Sequence, residues 1–135
     1  MCRIALIAFI LLFSCSGRHS LLISNRLVSN VEIFLLPFDM TTRVALKNEL
    51  LFDEASIDYK KKHEQGFLAR DVYIGKELSE YKHLDIRAKI IITDNTGFKT
   101  KLFFSGSGLM MFEDKIYKAP ESIQKLLLDL NHKLY

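Results

Sequence analysis

The chain has 135 residues, of which 49% are hydrophobic and 26% are charged, and its formal net charge is +3. This size fits one domain, and the balance of apolar and charged residues excludes disorder of the whole chain. The small net charge excludes the electrostatic footprint of a nucleic-acid-binding protein, so no nucleic acid is expected as a partner.

The N-terminus has the pattern of a secretion signal. Arg3 supplies one positive charge, and residues 4–13 form an uncharged apolar run. A run of this length matches the apolar region of a signal peptide, whereas about 20 apolar residues are needed to cross a bilayer as a helix. Two alternatives stay open, namely a buried N-terminal helix and an ordinary signal that is cleaved near Ser16 or Gly17.

The end of the apolar run, Leu12-Phe13-Ser14-Cys15, resembles the lipobox of bacterial lipoproteins. The resemblance implies cleavage between Ser14 and Cys15, and it implies that Cys15 carries a diacylglyceryl group and further acylation of the palmitate type. Phe13 departs from the usual small residue, as in the relaxed lipoboxes of some double-membrane bacteria. Two or more acyl chains give stable attachment, so the lipid bilayer is the first expected partner.

The resemblance also implies three regions and a location. Residues 1–14 are the signal peptide, residues 15–27 are the lipidated N-terminus and tether, and residues 28–135 form a single domain. Residue 16 is Ser, whereas Asp at this position retains enteric lipoproteins at the inner membrane. The expected location is therefore the cell envelope, at the outer membrane in preference to the inner membrane.

The first half of the domain gives mixed signals. Residues 31–36 are rich in β-branched and aromatic residues and predict a strand. Alternation favours a second strand over 41–46, while a helix over 41–53 competes with it, and 41–62 as a whole stays open between strand and helix. Apolar residues at helical spacing over 69–82 predict a helix, which a glycine weakens.

Alternation between Leu84 and Thr93 predicts an antiparallel strand with one buried face. The charged residues of the other face would then be exposed to solvent: Asp85, Arg87 and Lys89. Asp85, Arg87 and Asp94 could form an acid–base cluster on or near this face, but cross-strand ion pairs with Lys99 or Lys101 explain them more simply.

Two hairpins are predicted next along the chain. Residues 94–97 are turn formers, and 98–104 form the return strand. Ser105–Gly108 predicts another turn, since it lacks the residue order of a nucleophile elbow and precedes a strand instead of a helix. Residues 109–112 and 115–118 can then pair with each other.

The last element is the clearest helix. Apolar residues at i, i+3, i+4 and i+7 predict a C-terminal helix over 120–133 that lies across the sheet. The expected fold is therefore α+β, with an antiparallel sheet of about five to seven strands packed on one or two helices.

No catalytic constellation is recognisable, so we expect a non-enzymatic protein without a cofactor. The four histidines show no metal-ligand spacing and predict no metal site: His19, His63, His83 and His132. Met110, Met111 and Phe112 form a possible partner surface, because Met and Phe adapt to varied shapes. Packing in the core is the alternative for these three residues.

Three functions are compatible with these patterns. The first is a membrane-anchored envelope lipoprotein that acts as a non-enzymatic interaction or assembly component with a protein partner. The second is an inhibitor or immunity-type lipoprotein that blocks a hydrolase or toxin with a protruding loop, near 59–67 or 105–108. The third is a small-ligand carrier or enzyme, which requires a deep pocket with convergent polar groups.

Overall fold

The computed structural model describes residues 20–21, 28–55, 60–63 and 72–135, with side chains for 28–55 and 72–135. The predicted signal peptide and lipidation site, with Ser14 and Cys15, lie outside the described residues. The described part contains eight strands and two helices in this order: β1 Ser20–Leu21, β2 Val28–Leu35, α1 Glu49–Glu54, β3 Lys60–His63, β4 Tyr73–Ile74, β5 Ala88–Asp94, β6 Lys99–Phe104, β7 Leu109–Phe112, β8 Lys115–Lys118 and α2 Glu121–Leu134.

The predicted α+β fold is confirmed. Six strands form one antiparallel sheet in the order β3-β2-β5-β6-β7-β8, and β1 pairs separately with β4. The hairpins β5–β6 and β7–β8 join neighbouring strands, as expected from their turn sequences. The C-terminal helix begins one residue after its predicted start and ends one residue after its predicted end.

One face of the sheet packs on α2. Side chains alternate along a strand, so every second residue of the central strands points to this face. The strand residues of the cluster are Val31, Ile33, Leu35, Ala88, Ile90, Ile92, Leu102, Phe104, Met110 and Tyr117. Ile123, Leu127 and Leu130 of α2 pack in the same cluster, and they belong to the apolar stripe that predicts the helix.

The opposite face is also covered, so the prediction of a solvent-exposed face is wrong. Phe52 of α1 is fully buried in a second apolar cluster together with these residues: Leu36, Leu46, Leu84, Ile86 and Ile116. Arg87 and Lys89 are buried, because α1 and the segment before it lie over this face. The sheet therefore has an apolar layer on each side.

The helix α1 is shorter than the helix predicted over 41–53. Residues 41–46 do not form a strand, and of the helix predicted over 41–53 only residues 49–53 are helical, as part of α1. The side chain of Asn48 caps the helix by accepting a hydrogen bond from the N–H of Leu51 at 2.9 Å. Capping by an Asn side chain fixes where a helix begins.

The helix predicted over 69–82 is wrong for residues 72–82, which contain the short strand β4, a bridge at Glu77 and a turn at 79–80. Val72 is fully buried, and the segment lies along the outer edge of β8. Glu77 forms an isolated bridge to Tyr117, and the N–H of Leu78 donates to the carbonyl of Ile116 at 2.8 Å. Pairing with a strand edge therefore outweighs the local helical spacing.

We expect Leu127→Ala to lower the free energy of unfolding by about 2–5 kcal/mol, because it leaves a cavity between α2 and the sheet. Leu128→Ala is the matched control, since Leu128 is 44% exposed and its truncation should change stability by less than about 0.5 kcal/mol. Urea unfolding of the two variants measures the difference. Equal losses for the two variants would contradict the placement of α2.

Candidate functional site

An open groove of about 350 Å³ lies between β6 and the tip of the β7–β8 hairpin. This volume is in the range of sites that bind small molecules or peptide side chains. The groove is lined by both apolar and charged residues: Phe98, Lys99, Thr100, Lys101, Phe103, Met111, Phe112, Glu113 and Asp114.

The three residues predicted as a partner surface do not lie together. Met110 is 0% exposed and packs in the cluster beneath α2, so it is removed from the surface and the core alternative is right for it. Met111 and Phe112 are partly exposed and line the groove. Alternation along β7 places Met111 against the second cluster and Phe112 against the first.

The groove exists because β6 is longer than the strand beside it. All six residues of β6 pair with β5, but only Phe103 and Phe104 pair with β7. The hairpin turns back early, because Phe112 already pairs with Lys115. Within the described part of the chain, no strand pairs with residues 99–102 on the side away from β5.

The backbone groups of this segment point in a definite direction. The N–H of Ser105 donates to the carbonyl of Leu109 at 3.0 Å, toward β7. In an antiparallel strand every second residue directs its N–H and C=O to the same side. Lys101 and Lys99 lie four and six positions before Ser105, and an even spacing along a strand gives the same orientation. Their backbone groups therefore face the groove. A strand edge of this kind is a template for pairing with another strand.

The turn that begins β6 is held firmly. The Oδ1 atom of Asp94 accepts hydrogen bonds from the N–H of Thr96 at 2.8 Å and the N–H of Phe98 at 3.0 Å. The carbonyl of Asp94 accepts from the hydroxyl of Ser29 at 2.9 Å, and Gly97 has φ +86°. Asp94 is a predicted turn residue, and its side chain fixes the end of the open edge.

At the other end of the groove is the tip of the β7–β8 hairpin. Glu113 and Asp114 have φ values of 48° and 62°. Two positive φ angles are required by a two-residue type I′ turn, which usually contains Asn or Gly. Two exposed carboxylates are therefore held at this end of the groove, in a backbone conformation that Glu rarely adopts.

A buried lysine connects the sheet to α1 near the groove. The side chain of Lys89 is only 5% exposed, and its Nζ lies 2.7 Å from Asp53 and 3.3 Å from Glu49. The same Nζ lies 4.9 Å from the ring centre of Phe34, a favourable cation–π distance. Lys101 donates to Glu49 at 2.9 Å, so this groove residue shares a carboxylate with Lys89.

Two opposing effects act on the pKa of the Glu49 carboxyl group. Burial raises its pKa, but hydrogen bonds from Lys101 and Lys89, together with their positive charges, outweigh burial and lower the pKa overall. Glu49 therefore stays ionised and joins α1 to two strands of the sheet.

The predicted ion pairs of Asp85 with Lys99 or Lys101 are wrong. Asp85 instead pairs with Arg87 at 2.7 Å and accepts a hydrogen bond from the N–H of Leu46 at 2.9 Å. This arrangement holds the segment before α1 against the sheet. The Nη1 atom of Arg87 is buried without a hydrogen-bond partner.

The predicted turn at 105–108 is confirmed. The Oγ of Ser105 accepts from the N–H groups of Ser107 and Leu109, both at 3.2 Å. Gly108 has φ +81°, and a Cβ there would lie 2.7 Å from the amide oxygen of Gln124. These contacts give a compact turn in which the Ser105 hydroxyl accepts hydrogen bonds from the backbone of the same turn, instead of the protruding loop expected for an inhibitor.

Among the described side chains, no three His, Cys, Asp or Glu residues are placed to hold a metal ion. No helix in that part of the chain is both long and apolar enough to cross a membrane. Comparison with known proteins finds no matching family model, no matching curated protein and no matching solved structure.

We expect Glu49→Gln to lower the free energy of unfolding by about 1 kcal/mol at neutral pH, a value limited by the partial exposure of the carboxylate. A lowered pKa stabilises the fold above the unfolded-state value of about 4.3, and the effect is lost as the pH falls through the folded-state pKa. The two proteins should therefore converge in strongly acidic solution, below the folded-state pKa of Glu49.

Urea unfolding at the two pH values measures this convergence, with Glu80→Gln as the control because Glu80 is exposed on the surface. The control should match the unsubstituted protein at both pH values. A stability gap between Glu49→Gln and the unsubstituted protein that stays constant with pH would contradict the role given to the Glu49 carboxylate.

Proposed function

We propose that this chain is a bacterial envelope lipoprotein whose domain is a non-enzymatic interaction or assembly component. The lipobox-like sequence Leu12-Phe13-Ser14-Cys15 carries the proposal. In it, the signal is removed, Cys15 receives acyl chains, and the outer membrane is the preferred location. Each buried CH₂ of an acyl chain contributes about 0.8 kcal/mol, so two or more chains hold the domain at the bilayer.

The geometry of the groove supports an interaction role for the domain. Backbone donors and acceptors of Lys99 and Lys101 face the open side of β6, and apolar side chains of Phe103, Met111 and Phe112 line the same groove. Strand edges bind extended segments of other proteins through main-chain hydrogen bonds, with neighbouring side chains giving specificity.

A second candidate is the inhibitor or immunity-type lipoprotein. The observation in its favour is the exposed pair Glu113 and Asp114 at the tip of a tight hairpin. An inhibitor of this kind would insert that tip into the site of a hydrolase or toxin, and Glu113→Lys would abolish its binding. Under the first proposal the partner instead contacts β6. Cross-linking to the partner from each position separates the two candidates.

The anchoring step predicts a specific mature N-terminus. In a bacterial host, the unsubstituted protein should begin at Cys15, carry diacylglyceryl and further acyl groups, and fractionate with membranes. Cys15→Ala should keep its signal and gain no lipid, because the cysteine sulfur is the atom that receives the diacylglyceryl group. Intact-mass spectrometry of both proteins measures cleavage and lipid together.

Cys2→Ala is the matched control, since it removes the other cysteine of the chain and should leave lipidation unchanged. An unsubstituted protein that begins at Ser16 or Gly17 without lipid would show an ordinary secretion signal. One that retains residues 1–14 and a bare Cys15 would contradict secretion as well.

A further inference from the structure

We infer that the open edge of β6, at Lys99, Thr100 and Lys101, binds an extended segment of a partner protein that adds to the sheet as a strand and carries acidic side chains at two alternating positions. This inference deepens the proposed function, since it gives the chemistry of the partner that the anchored domain would bind. It depends on the strand edge and its charges, and no part of it depends on the lipid.

The backbone supplies the first part of the recognition. The groups of Lys99 and Lys101 face the groove, and β7 leaves this side open by turning at Glu113. An added strand would lie at the usual inter-strand spacing of about 4.8 Å and satisfy these groups. The hydrogen bonds of the Asp94 turn hold the edge in place before binding, which reduces the entropy lost on association.

The side chains supply the second part, because they alternate across the edge. Lys101 reaches Glu49 of α1, so Lys101 and Lys99 lie on the α1 face of the sheet. Thr100 lies on the α2 face, as do Leu102 and Phe112, which pack in or against the cluster beneath α2. A partner strand would therefore place two residues beside the lysines and the residue between them beside Thr100 and Phe112.

The charges of Lys99 and Lys101 determine which side chains of a partner strand are favoured opposite them. Lys99 is exposed and forms no ion pair with a described residue, and Lys101 is half exposed and shares Glu49 with Lys89. Opposite charges directly across two strands stabilise their pairing. We therefore expect Glu or Asp opposite both lysines. The position between them, beside Phe112, favours an apolar side chain.

The same charges disfavour a second copy of this chain as the occupant. A symmetric antiparallel pairing centred on Thr100 places Lys99 of each copy directly opposite Lys101 of the other. Like charges at directly opposed positions destabilise strand pairing. At the far end of the groove, the carboxylates of Glu113 and Asp114 repel a further acidic residue beyond the one facing Lys101. We therefore expect acidic residues at only two positions of the partner segment.

The test uses the full chain, ¹⁵N-labelled and solubilised in detergent, with a blocked peptide of alternating Glu and Val as the probe. We expect the amide signals of Lys99 and Lys101 to shift in a saturable way at millimolar peptide, with slower hydrogen exchange. Lys99→Glu should weaken binding by about five-fold or more, as expected for a reversed cross-strand charge pair. Lys125→Glu, the same change on the exposed side of α2, should leave binding unchanged.

Two further probes separate strand addition from charge attraction alone. A peptide of the same sequence that is N-methylated at alternate residues should lose binding, because it cannot complete the main-chain hydrogen bonds. A peptide of alternating Lys and Val should bind at least five-fold more weakly than the acidic one. Equal binding of the methylated peptide, or equal binding by Lys99→Glu, overturns the inference.

Self-association of the protein is the last possibility that the experiment must test. If sedimentation shows a dimer whose formation protects the amides of Lys99 and Lys101, the occupant is a second copy and the inference is wrong. Failure of the peptide assay leaves acylation of Cys15 untouched. Conversely, if the protein carries no lipid but binds the acidic peptide, the anchoring proposal is wrong and the inference of strand addition at β6 stands.

Discussion

The structure depends on the double-sided burial of β5, the strand between β2 and β6. On one side Ala88, Ile90 and Ile92 pack beneath α2, and on the other side the buried ammonium of Lys89 lies under α1. A buried charge is tolerated only when it is paired and hydrogen-bonded. The carboxylates of α1 and the ring of Phe34 meet this requirement. The short helix α1 is therefore fixed on the sheet by charge as well as by the burial of its single phenylalanine.

This constraint also determines where the sheet can interact with other molecules. Both faces of the central strands are covered, so an incoming protein chain meets the sheet at its edges. The segment at Glu77 and Leu78 lies along part of the outer edge of β8, and β3, which contains three consecutive lysines, forms the other end of the sheet. Lysines on an edge strand discourage non-specific pairing. The interruption between β6 and β7 is different, because aromatic and Met side chains adjoin it as well as lysines.

Much of the fold could be predicted from local patterns, whereas the environment of the charges could not. The turn at 94–97, the pair of strands around Glu113 and the C-terminal helix each follow from a few neighbouring residues, and all three are present. The alternation from Leu84 to Thr93 predicts a strand, which is present from Ala88 to Asp94. The same alternation predicts an exposed Lys89, because its partners on α1 lie 36 and 40 positions away in the sequence. The candidate site was partly predictable, since an apolar run indicated β7. Alternation along a strand means that three consecutive residues cannot share one face, and this explains why Met110 is in the core.

The unequal lengths of neighbouring strands are the feature of the sequence that indicates the groove. The predicted return strand at 98–104 is longer than its partner at 109–112, and the turn at Glu113 and Asp114 ends that partner early. An open strand edge of this kind would suit a protein that is tethered to a membrane. Cys15 is five residues from Ser20, whose strand β1 pairs with β4, and five extended residues span at most about 18 Å. If Cys15 carries lipid, β1 is held within that distance of the bilayer surface. Partners that are themselves held at the membrane would then meet the edge at a high effective concentration, so a weak strand-to-strand contact is sufficient.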